Sequence, residues 1–294
     1  TFTIEAWVRP NAVNADQAIV STLSEVTIMG CELHIGSDGI PVFTVKNAFG
    51  WIDTKGTLPI SANVWTHLAA TYDGATVKIY VNGVLSGTTI PGTCLPGIAE
   101  MHIGKRSAGV SGWYYFSGNI DEVRVWSTAR TVDEIAGNMY NAIDNPATVT
   151  GLARYFTFNQ GTAGGSNSGI TTLIDASASA KNGTLNNFAL EGSASNWVKG
   201  YHEFSLSAAA AGIGAAANST ASVYVTSNTT WSAISDQSWL TIDPTTATGN
   251  GTVTFTATAN TLKITRKATV TFLATGVANQ TVTVTQDESA EAAT

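Results

Sequence analysis

The chain has 294 residues, 44% hydrophobic and only 12% charged, with a formal net charge of −7. That balance favours a packed core over a disordered chain, and the length suits two domains or one large β-domain. Acidic and basic residues are scattered singly without a Lys/Arg cluster, which argues against a nucleic-acid groove or an anionic-membrane surface. No apolar run approaches membrane-spanning length.

Residues 1–140 carry short strand patterns at intervals of roughly ten residues, as in an all-β sandwich. The candidates are 2–9, 32–35, 41–46, 65–72, 76–82, 100–104 and 120–126. Asp38-Gly39, Asp73-Gly74, Asn82-Gly83 and Pro91-Gly92 mark the turns between them. Leu68, Ala70 and Tyr72 alternate before Asp73-Gly74, and Val77, Ile79 and Val81 alternate after it. This describes one half-buried hairpin. A helix is predicted over 132–140, where Thr131 and Glu134 form a capping box and Ile135 and Met139 share a face.

The stretch 161–169 reads as a loop. Residues 208–217 (AAAGIGAAAN) are low-complexity and read as a linker or an edge strand. Beyond them the composition shifts to Thr/Val alternation. SVYVTSNTTW, SWLTIDP, GTVTFTATAN, RKATVTFLA and QTVTVTQ are five strand-like runs.

Little here suits catalysis. A retaining glycosidase needs two carboxyls about 5 Å apart on one face of a cleft. No E-x-D-x-E run exists, and Asp121 and Glu122 are adjacent on a predicted strand, so they point to opposite faces. His67, His102 and His202 are isolated, and no nucleophile motif accompanies them. No catalytic residue is assigned. The two cysteines, Cys31 and Cys94, are either buried thiols or one bridge, and Cys31 with His34 makes only a lone C-x-x-H. Aromatics beside Gly-rich turns, namely Trp51, Trp113, Tyr114 and Tyr115, are candidate platforms for sugar rings. The alternative is that they cap the sandwich rim.

The segment WTHLAATYDGATVKIYVNG (65–83) resembles the central hairpin of the laminin-G-like domains, relatives of concanavalin A, pentraxins and glucanases. GNIDEVRVWSTARTVDEI (118–135) adds to the resemblance through Gly118, Ile120, Asp121, Glu122, Val123, Glu134 and Ile135. The opening TFTIEAWVRP matches a family strand, with Trp7 in place. GLARYFTFNQG and LIDASASAKNGTL (151–185) look like the segment that usually opens such a domain. They either supply its missing strand, as in a permuted sandwich, or belong to a neighbouring repeat. Residues 204–288 resemble the BACON domain, an immunoglobulin-like module of Bacteroidetes surface proteins and some of their phages. The matching residues are Asn228, Trp231, Trp239, Leu240, Pro244, Asn260, Arg266 and Gln286.

The resemblances imply an all-β chain: a concanavalin A-like jelly-roll sandwich over 1–203, a small immunoglobulin-like β-sandwich over 204–288, and a tail, 289–294. Trp7, Trp65, Trp231 and Trp239 match core positions, and Trp126 is expected on the outer face or under the helix. The laminin-G-like resemblance also implies one structural calcium near Asp121, Asp175 and Asn182. The alternative is that Asp121 is a solvated or capped carboxylate and Asp175 an ordinary turn residue. The resulting expectation is a non-catalytic part of a longer, secreted or cell-surface bacterial adhesin. It would bind glycan or a surface protein through the first domain, with the second as spacer and without nucleic-acid binding or membrane insertion. A ligand-free stalk repeat, an ancillary module of a secreted glycoside hydrolase and a phage tail or surface protein are the alternatives.

Overall fold

The computed structural model describes residues 1–23, 30–47, 50–90, 100–106, 114–192, 196–201, 204–227, 229–274 and 279–289. Backbone contacts divide the chain into two units, 1–200 and 201–294.

In chain order the first unit runs β1 (Phe2–Pro10), β2 (Gln17–Ser21), β3 (Gly30–Ile35), β4 (Pro41–Asn47), β5 (Gly50–Lys55), β6 (Thr66–Tyr72), β7 (Val77–Val81) and β8 (Val84–Thr89). It continues with β9 (His102–Ile103), β10 (Gly118–Trp126), α1 (Val132–Asn138), β11 (Leu152–Phe156), β12 (Thr172–Leu173) and β13 (Gly183–Thr184). Two antiparallel sheets make the sandwich, one in the order β11-β10-β1-β6-β7-β8 and the other β5-β4-β3-β2-β9. Strand β11 pairs with β10, Arg124 opposite Tyr155. Residues 152–156 therefore complete this sandwich as an edge strand, which decides between the two readings of that segment.

The core follows from alternation. Phe2, Ile4, Ala6 and Val8 of β1 face Cys31, Leu33 and Ile35 of β3 and Phe43 and Val45 of β4 in one cluster. Each such side chain, fully buried, contributes about 1.5–3 kcal/mol. The intervening residues must then turn to the outer faces, and they include Glu5 and Trp7 on one sheet and Glu32, His34 and Thr44 on the other. Helix α1 has the expected capping box between Thr131 and Glu134, and it buries Ile135 and Met139. Cys31 is a buried free thiol, and burial pushes its pKa up to about 11. Cys94 lies outside the described residues.

Strands β2, β5 and β8 have no counterpart in the sequence pattern. QAIVS is buried at every position and carries three consecutive apolar residues, Ala18, Ile19 and Val20, so its sequence does not alternate. GWIDTK and VLSGTT are mostly exposed or half-buried, as suits the outermost strands of their sheets.

The second unit contains β14 (Phe204–Leu206), β15 (Ala210–Ile213), β16 (Thr220–Ser227), β17 (Thr230–Ser235), β18 (Leu240–Asp243), β19 (Thr246–Thr248), β20 (Gly251–Ala257), β21 (Arg266–Ala274) and β22 (Gln280–Gln286). Its sheets are β14-β16-β20-β18 and β15-β22-β21-β17-β19. The low-complexity stretch is an edge strand, with β15 running parallel to β22. Trp231 is buried in the core, whereas Trp239 only packs against its margin. Trp65 is likewise only half-buried. The expected core role holds for Trp231; Trp7 is buried, but on the outer face of its sheet, and Trp65 and Trp239 are only half-buried.

Candidate functional site

The outer face of the five-stranded sheet carries a grid of polar and aromatic side chains. Register sets it. Between β4 and β5, Lys46 opposes Trp51, Thr44 opposes Asp53 and Val42 opposes Lys55. Between β3 and β4, Glu32 opposes Thr44 and His34 opposes Val42. Opposed residues on one face lie about 4.5–5.5 Å apart at Cβ, so these pairs form a continuous strip. Thr44 Oγ1 donates to Asp53 Oδ1 at 2.6 Å, fixing that carboxylate across the sheet.

Two further segments wall the strip. One is the turn after β3, where Asp16 Oδ1 accepts Ser37 N at 3.0 Å and Asp38 Oδ1 accepts Ile40 N at 3.0 Å. The other wall is made by Arg106 and by Tyr114, whose carbonyl accepts Ala18 N. A groove of about 440 Å³ results, with Asp16, His34, Asp38, Trp51, Asp53, Lys55, Arg106 and Tyr114 among its walls. That volume is within the usual range for small-ligand sites.

Arg106 is buried and grips Glu32 with two nitrogens. Nε reaches both carboxylate oxygens at 3.1 Å and Nη2 reaches Oε1 at 2.6 Å. Its Cζ lies 3.6 Å from the centroid of the Tyr114 ring. Burial alone would weaken the protonated form of Arg106, but the bonds and charge of Glu32 reverse this and raise its pKa. His34 Nδ1 stands 3.5 Å from Glu32 Oε1 and has no hydrogen-bond partner. Burial, the largest influence, lowers the His34 pKa against the pull of Glu32, so the ring is neutral near pH 7. The Trp51 ring is 49% exposed, with Lys46 Nζ 4.6 Å from its centroid.

The structure therefore brings Trp51 and Tyr114 to one groove. Tyr115 is exposed but is not among the groove's lining residues. Trp113 lies outside the described residues. Asp16, His34, Asp38, Asp53, Lys55 and Arg106 were not singled out from the sequence as members of this site. The available signal was the period-2 alternation of GCELHI, PVFTVKN and GWIDTK, which places every second residue on the face away from the core.

The residues expected at a calcium site are arranged otherwise. Asp175 Oδ1 accepts Tyr155 N and Ser177 N at 3.0 Å each. Its Oδ2 accepts Ser179 Oγ at 2.7 Å and Lys181 N at 3.0 Å. Burial raises the Asp175 pKa, and the bonds from Ser179, Tyr155 and Ser177 outweigh that and lower it. Asn182 Oδ1 accepts Asp175 N at 2.9 Å. Calcium needs six to eight oxygens with lone pairs to give, and here those of Asp175 are spent on the loop's own donors. Asp121 Oδ1 accepts Glu122 N, and a Cβ on Gly200 would lie 2.3 Å from Asp121 Oδ2, so the backbone closes over this carboxylate. Among the described residues no three acids, histidines or cysteines form a metal-binding group. These residues do not fit a calcium centre.

The opposite outer face, on the six-stranded sheet, holds a buried polar cluster. Trp126 Nε1 donates to Glu5 Oε1, and His67 Nε2 is 3.4 Å from Glu5 Oε2, so His67 is not isolated. Glu122, at φ 52°, pairs with Arg124 at 2.7 Å and accepts Tyr155 Oη at 2.5 Å. Arg124 also donates to Asn138 O and Asn141 O. The cluster is bonded within itself and to backbone beside α1, as suits a structural role.

Comparison with known proteins agrees with this architecture. Residues 1–136 match the family model described as "Concanavalin A-like lectin/glucanases superfamily". Residues 229–287 match the BACON model, described as "Putative binding domain, N-terminal". A solved structure described as a "putative carbohydrate binding protein" from Bacteroides ovatus is 30% identical with a TM-score of 0.50, covering 62% of this chain and 51% of that one. The sialidase module CBM40 of Ruminococcus gnavus, bound to α2,3-sialyllactose, is 19% identical with a TM-score of 0.40, covering 46% of this chain and 80% of that one. Mouse pappalysin-1 is 35% identical over 78 residues, which is 26% of this chain and 5% of that protein. The chain thus spans about half of the Bacteroides protein and a small part of pappalysin-1.

Proposed function

We propose that this chain, a laminin-G-like domain followed by a BACON domain, is a non-catalytic glycan-binding module whose ligand lies in the groove between Trp51 and Tyr114. The observation that carries the reading is the register of β4 and β5. It sets a half-exposed indole two residues from a carboxylate on the same outer face, with Thr44 bonded to that carboxylate. Sugars are recognised by such a pairing, with an aromatic face for the apolar side of the ring and fixed acceptors for its hydroxyls. Similarity to the Bacteroides ovatus structure described as a "putative carbohydrate binding protein" supports the reading.

On this reading the protein works outside the cell as part of a longer adhesin, with the second unit as a spacer. The test is a glycan array probed with the full chain. Bound glycans should be lost on Trp51→Ala while the melting temperature holds. An array without signal, or binding indifferent to Trp51, would overturn the assignment.

A further inference from the structure

We infer that the groove selects neutral, hydroxyl-rich sugars and turns away sugars bearing carboxylate, sulfate or phosphate groups, an inference that rests on the glycan reading above. The ground is how the groove's charges are spent. Recognition of an anionic sugar needs a cationic donor with bonds left to give, and arginine is best suited because its planar fork matches an oxyanion.

Arg106 is a guanidinium lining this groove, and its Nε and Nη2 are engaged by the fully buried Glu32 through three contacts of 2.6–3.1 Å. Its flat face is covered by Tyr114. Glu32 has no exposed surface, so it cannot release Arg106 by swinging into water. His34 adds no positive charge near neutral pH, since burial disfavours its protonated form.

What remains is Lys55, with Lys46 held over the Trp51 ring beside the groove, against the carboxylates of Asp16, Asp38 and Asp53. Each of these three has one oxygen placed by a bond to Ser37 N, Ile40 N or Thr44 Oγ1. Placed carboxylates accept hydrogen bonds from sugar hydroxyls and repel an incoming anion. Discrimination through an opposed charge is an established route to specificity. Because exposed like charges are screened by salt, the discrimination should weaken as ionic strength rises.

The test uses the full chain on an array of matched pairs, each neutral oligosaccharide beside its sialylated, glucuronylated or sulfated form. The readout is the ratio of affinities within a pair. In 20 mM salt the neutral member should bind at least tenfold tighter, and the ratio should shrink in 500 mM salt. The triple variant D16N/D38N/D53N should shrink it too. Two of those residues are exposed and the third half-exposed, so the fold should survive. Glu32→Gln, which leaves Arg106 with a free charge, should move preference toward the charged member. Should that buried change prevent folding, the triple variant gives the same reading. A charged member that binds as well as its neutral partner, or a ratio insensitive to both salt and the triple variant, overturns the inference and leaves glycan binding standing. An array without any signal overturns both.

Discussion

Trp126 donates its indole N–H to Glu5 Oε1 at 2.8 Å, joining the last residue of β10 to β1 across 121 residues of sequence. The bond belongs to a buried cluster in which Glu5 also faces His67 at 3.4 Å and Arg124 at 3.9 Å. Burial alone would favour protonated Glu5. The bond from His67, the charges of Arg124 and His67 and the bond from Trp126 together outweigh it and lower its pKa to about 2.

Acid stability follows from that shift. The folded pKa lies below the ordinary value of 4.5, so the unfolded chain takes up the proton first as pH falls. Glu5 then contributes stability that is fully present above about pH 4.5 and is lost progressively down to about pH 2. Its size is about 3 kcal/mol. Urea unfolding of the wild type and Glu5→Gln between pH 2 and 7 checks this. The variant should be markedly less stable at pH 7, and the gap should close toward pH 2. A gap independent of pH would show that the carboxylate charge is not what holds the cluster.

The sandwich was legible where apolar and polar residues alternate along a strand, even though β1 and β6 are buried on both faces. In β1, β6 and β7 apolar residues alternate, and Asp73-Gly74 and Asn82-Gly83 fix the turns. The capping box of α1 was legible because both partners lie within four residues. Strands β2 and β5 were not, since the consecutive apolar run Ala18-Ile19-Val20 of β2 has no alternation and β5, an exposed edge strand, has little apolar content. The site was legible in part. Trp51 and Tyr114 stand out as aromatics near glycine-containing turns, although Trp51 lies within β5, but the pairing of Arg106 with Glu32 spans 74 residues and depends on β3 lying against Arg106. Local spacing carries no information about that.

The second unit separates two tryptophans that the sequence pattern treats alike. Trp231 is 1% exposed and touches Phe272 in the core. Trp239 lies at the margin with Arg266 Cζ 4.4 Å from its ring, and Arg266 is in turn fixed by Gln286 at 2.7 Å. Trp231→Ala should cost roughly 3–5 kcal/mol, as for other core aromatics. Trp239→Ala should cost about 1–2 kcal/mol, the scale of a partly exposed cation–π contact with some packing. Chemical denaturation followed by tryptophan fluorescence separates them. Equal losses would mean that the margin is as tightly packed as the core.

Asp175 organises its loop through four hydrogen bonds. Replacing it by Ala leaves Tyr155 N, Ser177 N and Lys181 N without their acceptor. An orphaned buried donor costs about 1–3 kcal/mol, so the variant should lose several kcal/mol of stability. Asp175→Asn keeps two acceptor lone pairs and should lose less. Calcium or a chelator should leave the wild-type melting temperature unchanged, because a ligand stabilises only by binding the folded state. A rise of several degrees in calcium would show that the loop rearranges to hold a cation.

Trp51 and Tyr115 test the groove itself. Both rings are exposed, 49% and 57%, so neither contributes much to the core and each can be removed without unfolding the sandwich. They differ in place. Trp51 stands in the strip with Lys46 and Asp53, whereas Tyr115 is not among the lining residues. For a glycan found on the array, Trp51→Ala should weaken binding by roughly 2 kcal/mol, about thirtyfold, the loss typical of a central aromatic anchor. Tyr115→Ala should change it less than twofold. Titration calorimetry with the purified glycan gives both numbers, and circular dichroism confirms the fold of each variant. Equal losses would place the ligand nearer Tyr115 than the groove. A loss only at Tyr115 would move the site out of it altogether.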